Sequence, residues 1–567
     1  MRRPPLGHAH STRARLLGAA LLSLAACGRD GGPDHVLHGG TIRTLNERDD
    51  VAEAIALRDG TIVAIGKSSE ILPLATGRTE VRDLDGRTVL PGFVGAHEHP
   101  TLSAVFGGVI DVSGFERATS EEVWEALRAG VAGAAPGDWV YAMGIDPILV
   151  PDLEMPSRER LDAIAPENPL VVVSQTMHSF WANSRAFDAA GIDGNTPDPG
   201  HGSHYERDSQ GNLTGFVAEV VAAKPLLAEL QSPWRLATRY EEVLNDLLEA
   251  GFTSVASLGM NVPPLLARFA ASENLEPRIR QFFYLAPDER GSLPEHPDRS
   301  HPFFRILGVK IWHDGSPTTG SMFLETPYLD SPLAKRLGIP RGGRGAPIVS
   351  DEALDSEIAS AEEAGWQVAI HSHGDASSRE VVRAFARAAE PRAGALPRRM
   401  EHCGLIPVDL LPELARLGVS PSFHINHLYY YGDALADSIL GAERADRLLP
   451  VRSAFELGLS PTLHADSPMF PAEPLSLVRT AVLRRTRSGR SIGAGEAIRI
   501  DQALRAVTLN AARQLGMESE IGSLEVGKAA DLVVLDADPV AVRAEDLDEI
   551  DVIGVYVAGR RRDLRSR

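Results

Sequence analysis

At 567 residues the chain exceeds a single ordinary domain, and a large barrel plus an accessory domain is a natural division. Hydrophobic residues at 43% and charged residues at 24% are those of a soluble globular protein with ample core. The formal charge of −20 argues against a nucleic-acid partner, which rewards clustered Lys and Arg.

In chain order, Arg2, Arg3, Arg13 and Arg15 precede an apolar run over 16–26. That run is too short to span a bilayer and reads as a secretory signal over 1–26. Leu24-Ala-Ala-Cys27 resembles the cleavage box of bacterial lipoproteins, in which the cysteine carries the lipid. The expectation is an exported, membrane-anchored lipoprotein on a periplasmic or other extracytoplasmic face, with residues 27–34 as tether. A signal cleaved near Cys27 to give a freely soluble product is the alternative. Only Cys27 and Cys403 are present, so lipidation of the first leaves no intramolecular disulfide to form. Cys403 is expected to pack as a small buried hydrophobe.

Strand-like stretches follow at 35–45, 54–58 and 61–66, with a hairpin signal at Asp59-Gly60. Further strands at 530–536 and 552–559 would complete a small β-sandwich domain assembled from both chain ends, over 35–90 and 516–567, a pairing that rests on the family resemblance set out below together with this pattern. Between them apolar strands alternate with helical stretches, the pattern of a parallel α/β architecture. Eight candidates occur at 93–96, 170–174, 253–256, 308–311, 367–370, 399–401, 419–423 and 460–463, which favours a TIM-like (β/α)8 barrel over 91–515. Helices are expected at 121–134, 234–250, 351–364, 378–389 and 501–515. The stretches at about 101–168 and 191–234 are too long for single connections and read as insertions near the barrel mouth.

The informative residues sit at the C-terminal ends of these strands, the face that carries a barrel's active site. The first strand delivers His97 and His99, two apart and so on one side. The fourth carries Lys310 and then Asp314. The fifth yields His371, within His371-Ser-His-Gly-Asp375. The sixth gives Glu401-His402, the seventh ends at His424, and the eighth gives His464-Ala-Asp466. Each has an ordinary alternative taken singly. Lys310 could be a solvated strand-end lysine, His371 or His402 a hydrogen-bonded core histidine, Asp466 a helix cap. Their recurrence in order on successive strands points to one metal site.

With these motifs the chain resembles the metal-dependent amidohydrolase superfamily, and within it the branch of YtcJ-like hydrolases and N-substituted formamide deformylases, amidohydrolase family 3. Further matching stretches are His178-Ser-Phe-Trp-Ala-Asn183-Ser, Thr508-Leu-Asn-Ala-Ala and Gly522-Ser-Leu-Glu-Val-Gly-Lys-Ala-Ala-Asp-Leu-Val-Val-Leu-Asp536. The resemblance runs from about His35 to the C-terminus. Two positions depart from the branch: Gly95 stands where it has Asp, and His373 where it has an apolar residue. The strand-five ligand is assigned to His371 by alignment.

The resemblance implies two divalent metal ions. His97, His99 and Asp466 would hold one, His371 and His402 the other, and carboxylated Lys310 would bridge them. An ammonium cannot ligate a cation, whereas a carbamate is an anionic bridge. Imidazole and carboxylate favour zinc, with iron, manganese or nickel suited to similar ligands. The implied reaction is hydrolysis of a C–N bond, an amide such as N-formyl or N-acyl, of a small molecule through a metal-bridging hydroxide. Asp466 would serve as ligand and as the general base and acid. His178 would polarise the substrate carbonyl or bind its oxyanion, or act structurally. Trp181, Asp314 and His424 are candidate substrate-binding groups, with Asp314 alternatively orienting a ligand. The tyrosines at 429–431, Met322, Phe323 and the segment 201–204 could line a pocket or simply pack. A deaminase or cyclic-amide hydrolase on the same scaffold, and a non-catalytic solute-binding lipoprotein, are the competing readings. Lys310 speaks against the first, and the intact ligand set against the second.

Overall fold

Strands buried over nearly their whole length dominate the centre of the computed structural model, which describes residues 31–200, 203–259, 278–286, 296–297, 300–388 and 394–565. The expected signal segment and Cys27 lie outside these residues. Phe93–Glu98, Phe252–Leu258, Arg280–Leu285, Phe304–Trp312, Gln367–Ser372, Arg398–His402, Val419–Phe423 and Thr462–Leu463 pair in that order, all parallel. They form a nearly closed TIM-like barrel. A parallel sheet needs cover on both faces, here the packed interior and helices such as Pro233–Glu249, Asp351–Glu363 and Asp375–Arg387. That is why these runs are apolar throughout and do not alternate.

Among the described residues no ladder joins the first strand to the eighth. The Glu98 carboxylate spans that seam instead, accepting from the backbone N–H groups of Ala465 (3.2 Å) and Ser467 (2.7 Å). The His99 N–H donates to the Ser467 carbonyl at 2.9 Å. Burial pushes the Glu98 carboxyl up to about 8.

Seven of the eight expected strands belong to this barrel, and one does not. Leu170–Ser174 lies in a second sheet, ordered His204–Arg207, Leu213–Ala218, Ser179–Ala182, Leu170–Ser174, Val140–Ile145, Ile110–Asp111. Its Val172 packs into the main core while Val171 and Val173 pack into a separate apolar cluster with Phe180, Tyr141 and Met143. With both faces covered it reads as a barrel strand. The barrel's actual third strand, Arg280–Leu285, opens on two polar residues that disguise it. Arg280 is neutralised by Asp531 (2.6 and 3.2 Å), and Gln281 accepts from the Tyr240 hydroxyl at 2.5 Å. The two differences cancel, so Lys310 is on the fourth strand either way.

Both chain ends build one mixed sheet, ordered Arg560–Arg562, Val552–Val557, Leu532–Leu535, Thr88–Pro91, His35–Arg43, Val51–Arg58, Thr61–Gly66, with Glu80–Asp83 beside His35–Arg43. Leu532–Leu535 runs antiparallel to Thr88–Pro91. Through Gly92 that strand continues straight into the first barrel strand. A Cβ at Gly92 would sit 2.2 Å from the Thr253 side chain, so only glycine fits the junction. Arg280 and Asp531 clamp this sheet to the barrel with both partners buried. The helix expected at 501–515 is two, Ile500–Ala506 and Leu509–Gln514, broken at Thr508, whose hydroxyl donates to the Leu504 carbonyl at 2.7 Å.

The second sheet is tied to the barrel mouth by Asp146, which accepts from the Tyr431 hydroxyl and, at 2.7 Å, from the Ile148 N–H. Burial pushes its carboxyl up to about 6 in spite of these bonds. The folded state therefore holds a proton that the unfolded chain releases near the ordinary carboxylate pKa, and stability falls as pH rises from about 4 through about 6. Asp146→Asn, neutral at every pH, should gain roughly 1–3 kcal/mol over the parent above pH 6 and nothing near pH 4. Thermal melts of both proteins across that range check this. Identical curves throughout would show that ionising Asp146 costs the fold nothing.

Candidate metal centre

At the C-terminal mouth of the barrel, side chains from the ends of five strands converge. The first strand places His97 and His99, whose rings lie 5.4 Å apart. The fourth contributes Lys310, whose Nζ is 3.3 Å from His97 Nε2. The fifth supplies His371, the sixth His402, and their rings are 4.2 Å apart. From the eighth comes Asp466, with Oδ1 at 3.0 Å from His99 Nε2 and 3.2 Å from His97 Nε2. Ligand atoms of His97, His402, His464 and Asp466 lie within 4.8 Å of one another, as do those of His371, His373 and His402. The structure thus brings together all six residues expected to hold metal.

The backbone is bent to make this possible. His402 and Asp466 take φ of +69° and +61°, a left-handed conformation that costs a non-glycine residue energy and concentrates at functional positions.

Buried carboxylates fix the imidazoles. Glu401 Oε2 accepts from His97 Nδ1 at 2.6 Å, while Arg399 donates to both Glu401 oxygens (2.7 and 3.1 Å). Burial would raise the Glu401 carboxyl, but Arg399, His97 and Lys310 hold it down to about 2. With Nδ1 donating, His97 presents the lone pair of Nε2 to the centre, the arrangement in which a carboxylate orients a metal-binding histidine. Lys310 is itself buried, and that burial lowers its ammonium to about 8 against the pull of Glu401 and Asp466. Burial pushes His371 and His402 well below the usual imidazole range, which keeps them neutral and able to ligate.

The donor set fits a metal ion. His371 Nε2 is buried without a hydrogen-bond partner. An orphaned polar atom of this kind is costly unless something neutralises it. An imidazole-rich set with one carboxylate is chemistry suited to zinc and its neighbours.

The other candidates fall in different places. His178 stands between the second sheet's strands, half-exposed, with Nδ1 2.9 Å from Glu219 Oε2. It lines the same cavity of about 440 Å3 as His99, Lys310, His371, His402 and Asp466. Asp314 is fully buried and accepts the backbone N–H groups of His373 (2.9 Å), Gly374 (2.9 Å) and Phe323 (3.0 Å). It thereby shapes the turn after the fifth strand. Its distance to His371 Nε2 is 3.7 Å, too long for a hydrogen bond. His424 donates through Nε2 to the Ala465 carbonyl at 2.9 Å and has Nδ1 3.9 Å from Asp466 Oδ2. Trp181 is buried against Phe216, ring centroids 5.6 Å apart, and lies outside the cavity's lining. Met322 is buried as well, Tyr430 stacks on Phe470 and Tyr431 holds Asp146; residues 201–202 lie outside the described residues. Cys403 packs buried, its thiol near the Met400 carbonyl.

Three groups at the site carry no assigned role in the motifs. His464 stacks on His97 with ring centroids 4.4 Å apart, and its Nε2 is 3.3 Å from His402 Nδ1. His373 stacks on His402 at 4.5 Å. His427 opens the helix Asn426–Ala434 and packs on His424 at 4.0 Å. The only sequence signal for His427 is the spacing His424-Ile-Asn-His427, which brings i and i+3 together on one turn.

The Amidohydrolase family model matches residues 80–562. An N-substituted formamide deformylase of Arthrobacter pascens is 29% identical, covering 94% of this chain and 99% of its own. The Bacillus subtilis protein YtcJ is 24% identical over 93% and 98% of the two chains. Among solved structures, an uncharacterized metal-dependent hydrolase of Pyrococcus horikoshii superposes with a TM-score of 0.73 at 24% identity, covering 90% of this chain and 99% of that one.

Proposed function

We propose, from the premise that this chain belongs to the amidohydrolase family, that it hydrolyses the C–N bond of a small amide, with N-formyl or N-acyl compounds the leading class. The observation that carries the proposal is the convergence of His97, His99, Lys310, His371, His402 and Asp466 at one end of the barrel. His97, His99 and Asp466 would hold one divalent ion and His371 and His402 another, with Lys310, carboxylated, between them. Such ions act as Lewis acids on a carbonyl and lower the pKa of water.

The remaining work falls to side chains. Asp466 faces the cavity, where its carboxylate can take the proton of the attacking water and pass it to the leaving nitrogen. His178 sits on the rim with Nδ1 2.9 Å from Glu219 Oε2; in its doubly protonated form it would keep that bond and donate from Nε2 to the substrate oxygen. Leu102, Met177, Leu258, Trp312 and Met469 line the cavity and suit an apolar substituent on the amide. Lys310 against the imidazoles favours hydrolysis over the one-metal deaminase reading.

A panel of N-formyl, N-acetyl and cyclic amides tests this. Release of acid and amine from at least one acyclic class is expected; ammonia from an amino-substituted ring, with no amide cleaved, would move the chain to the deaminase reading. We also propose that Cys27 carries a lipid anchor on an extracytoplasmic membrane face, which mass spectrometry of the mature N-terminus decides. Among the described residues no helix is long and apolar enough to cross a membrane.

A further inference from the structure

Beside the centre described above lies a second knot of imidazoles that its chemistry does not use. His373 follows the fifth strand, His424 ends the seventh, and His427 lies one helical turn further on. One ligand nitrogen of each lies within 4.8 Å of the others, and all three residues are buried. The rings of His424 and His427 are 4.0 Å apart, and that of His373 lies 5.0 Å from His427 and 6.2 Å from His424.

Hydrogen bonding fixes the tautomer of His424. The Ala465 carbonyl can only accept, so His424 Nε2 carries the proton and Nδ1 is a bare lone pair. That Nδ1 has no partner, and neither do His373 Nδ1 and His427 Nε2. No N–H or O–H donor reaches any of these three atoms. Buried ring nitrogens left unpaired together are expensive, and one cation, with the His373 and His427 lone pairs turned to it, answers all of them.

We propose that His373, His424 and His427 form a further metal site, separate from the ligand set of the hydrolytic centre. Three imidazoles, with Asp466 Oδ2 3.9 Å from His424 Nδ1, select a borderline transition ion such as zinc, copper or nickel over magnesium or calcium. Three protein ligands leave a fourth position open, to water or to a group on a bound molecule. The inference stands on these three residues and does not depend on the proposed reaction.

Metal content tests it. The full-length protein and His427→Gln, each saturated with zinc and freed of excess by gel filtration, should differ by one ion per chain, whatever number the main centre holds. Equal content in two proteins with matching melting curves would overturn the proposal. Should the variant fail to fold, the parent alone decides: zinc-edge anomalous diffraction should show a peak enclosed by His373, His424 and His427. A water without anomalous signal there, in crystals whose main centre is loaded, would equally overturn it.

Discussion

Asp466→Asn should leave the fold and its melting temperature close to the parent's while lowering turnover by about 10²–10⁴-fold, the size of a lost general acid–base group. The substitution keeps the shape of the side chain and removes its charge and basicity. Asp466 Oδ1 is the point at which His97 and His99 meet the eighth strand, at 3.2 and 3.0 Å, and the residue also borders the cavity. Among the described residues no other carboxylate combines these positions. Glu401 is occupied by Arg399 and His97, Glu98 by the barrel seam, and Asp314 by three backbone amides. Initial rates on the best amide of the panel, beside a thermal melt, give the answer. Near-full activity in the variant would remove Asp466 from its role.

Lys310→Ala carries the second large effect. The Lys310 Nζ approaches His97 Nε2 at 3.3 Å inside a fully buried setting, where an ammonium could ligate nothing. If the side chain is carboxylated, its removal takes away an anionic ligand shared by both ions. The variant should lose at least one bound ion per chain and about a hundred-fold or more in activity, since even outer partners of metal ligands cost 10–100-fold. A short carboxylic acid such as acetate or propionate, added to the variant, should restore part of the rate by entering the vacated space. Unchanged metal content and rate would show that Lys310 only packs against the centre.

Much of this site was legible because barrel chemistry repeats at strand ends. His97 and His99 follow a glycine-flanked apolar strand, and Lys310, His371, His402 and Asp466 follow in register with later ones, so strand order alone places them on one face. What sequence hid has physical reasons. Leu170–Ser174 is covered on both faces like a barrel strand, and composition cannot say by which neighbour. Arg280–Leu285 opens on polar residues that become buried only because Asp531 and Tyr240, both distant in sequence, meet them. His427 is a lone histidine at the start of a helix until the seventh strand turns and stacks it on His424. His373 lies two residues from His371 and on the same side, so local pattern could not separate their roles; in three dimensions both rings meet His402, and His373 also reaches His427.

The claim on which the rest depends is that the gathered histidines and Asp466 bind metal in order to cleave a C–N bond. Formate released from an N-substituted formamide should be measured with zinc-loaded protein, after exhaustive chelation, and after zinc is returned. Release should disappear with the metal and reappear with it. Cleavage that persists in the metal-free protein, or a folded, fully loaded protein that cleaves neither this amide nor any of the panel, would contradict it.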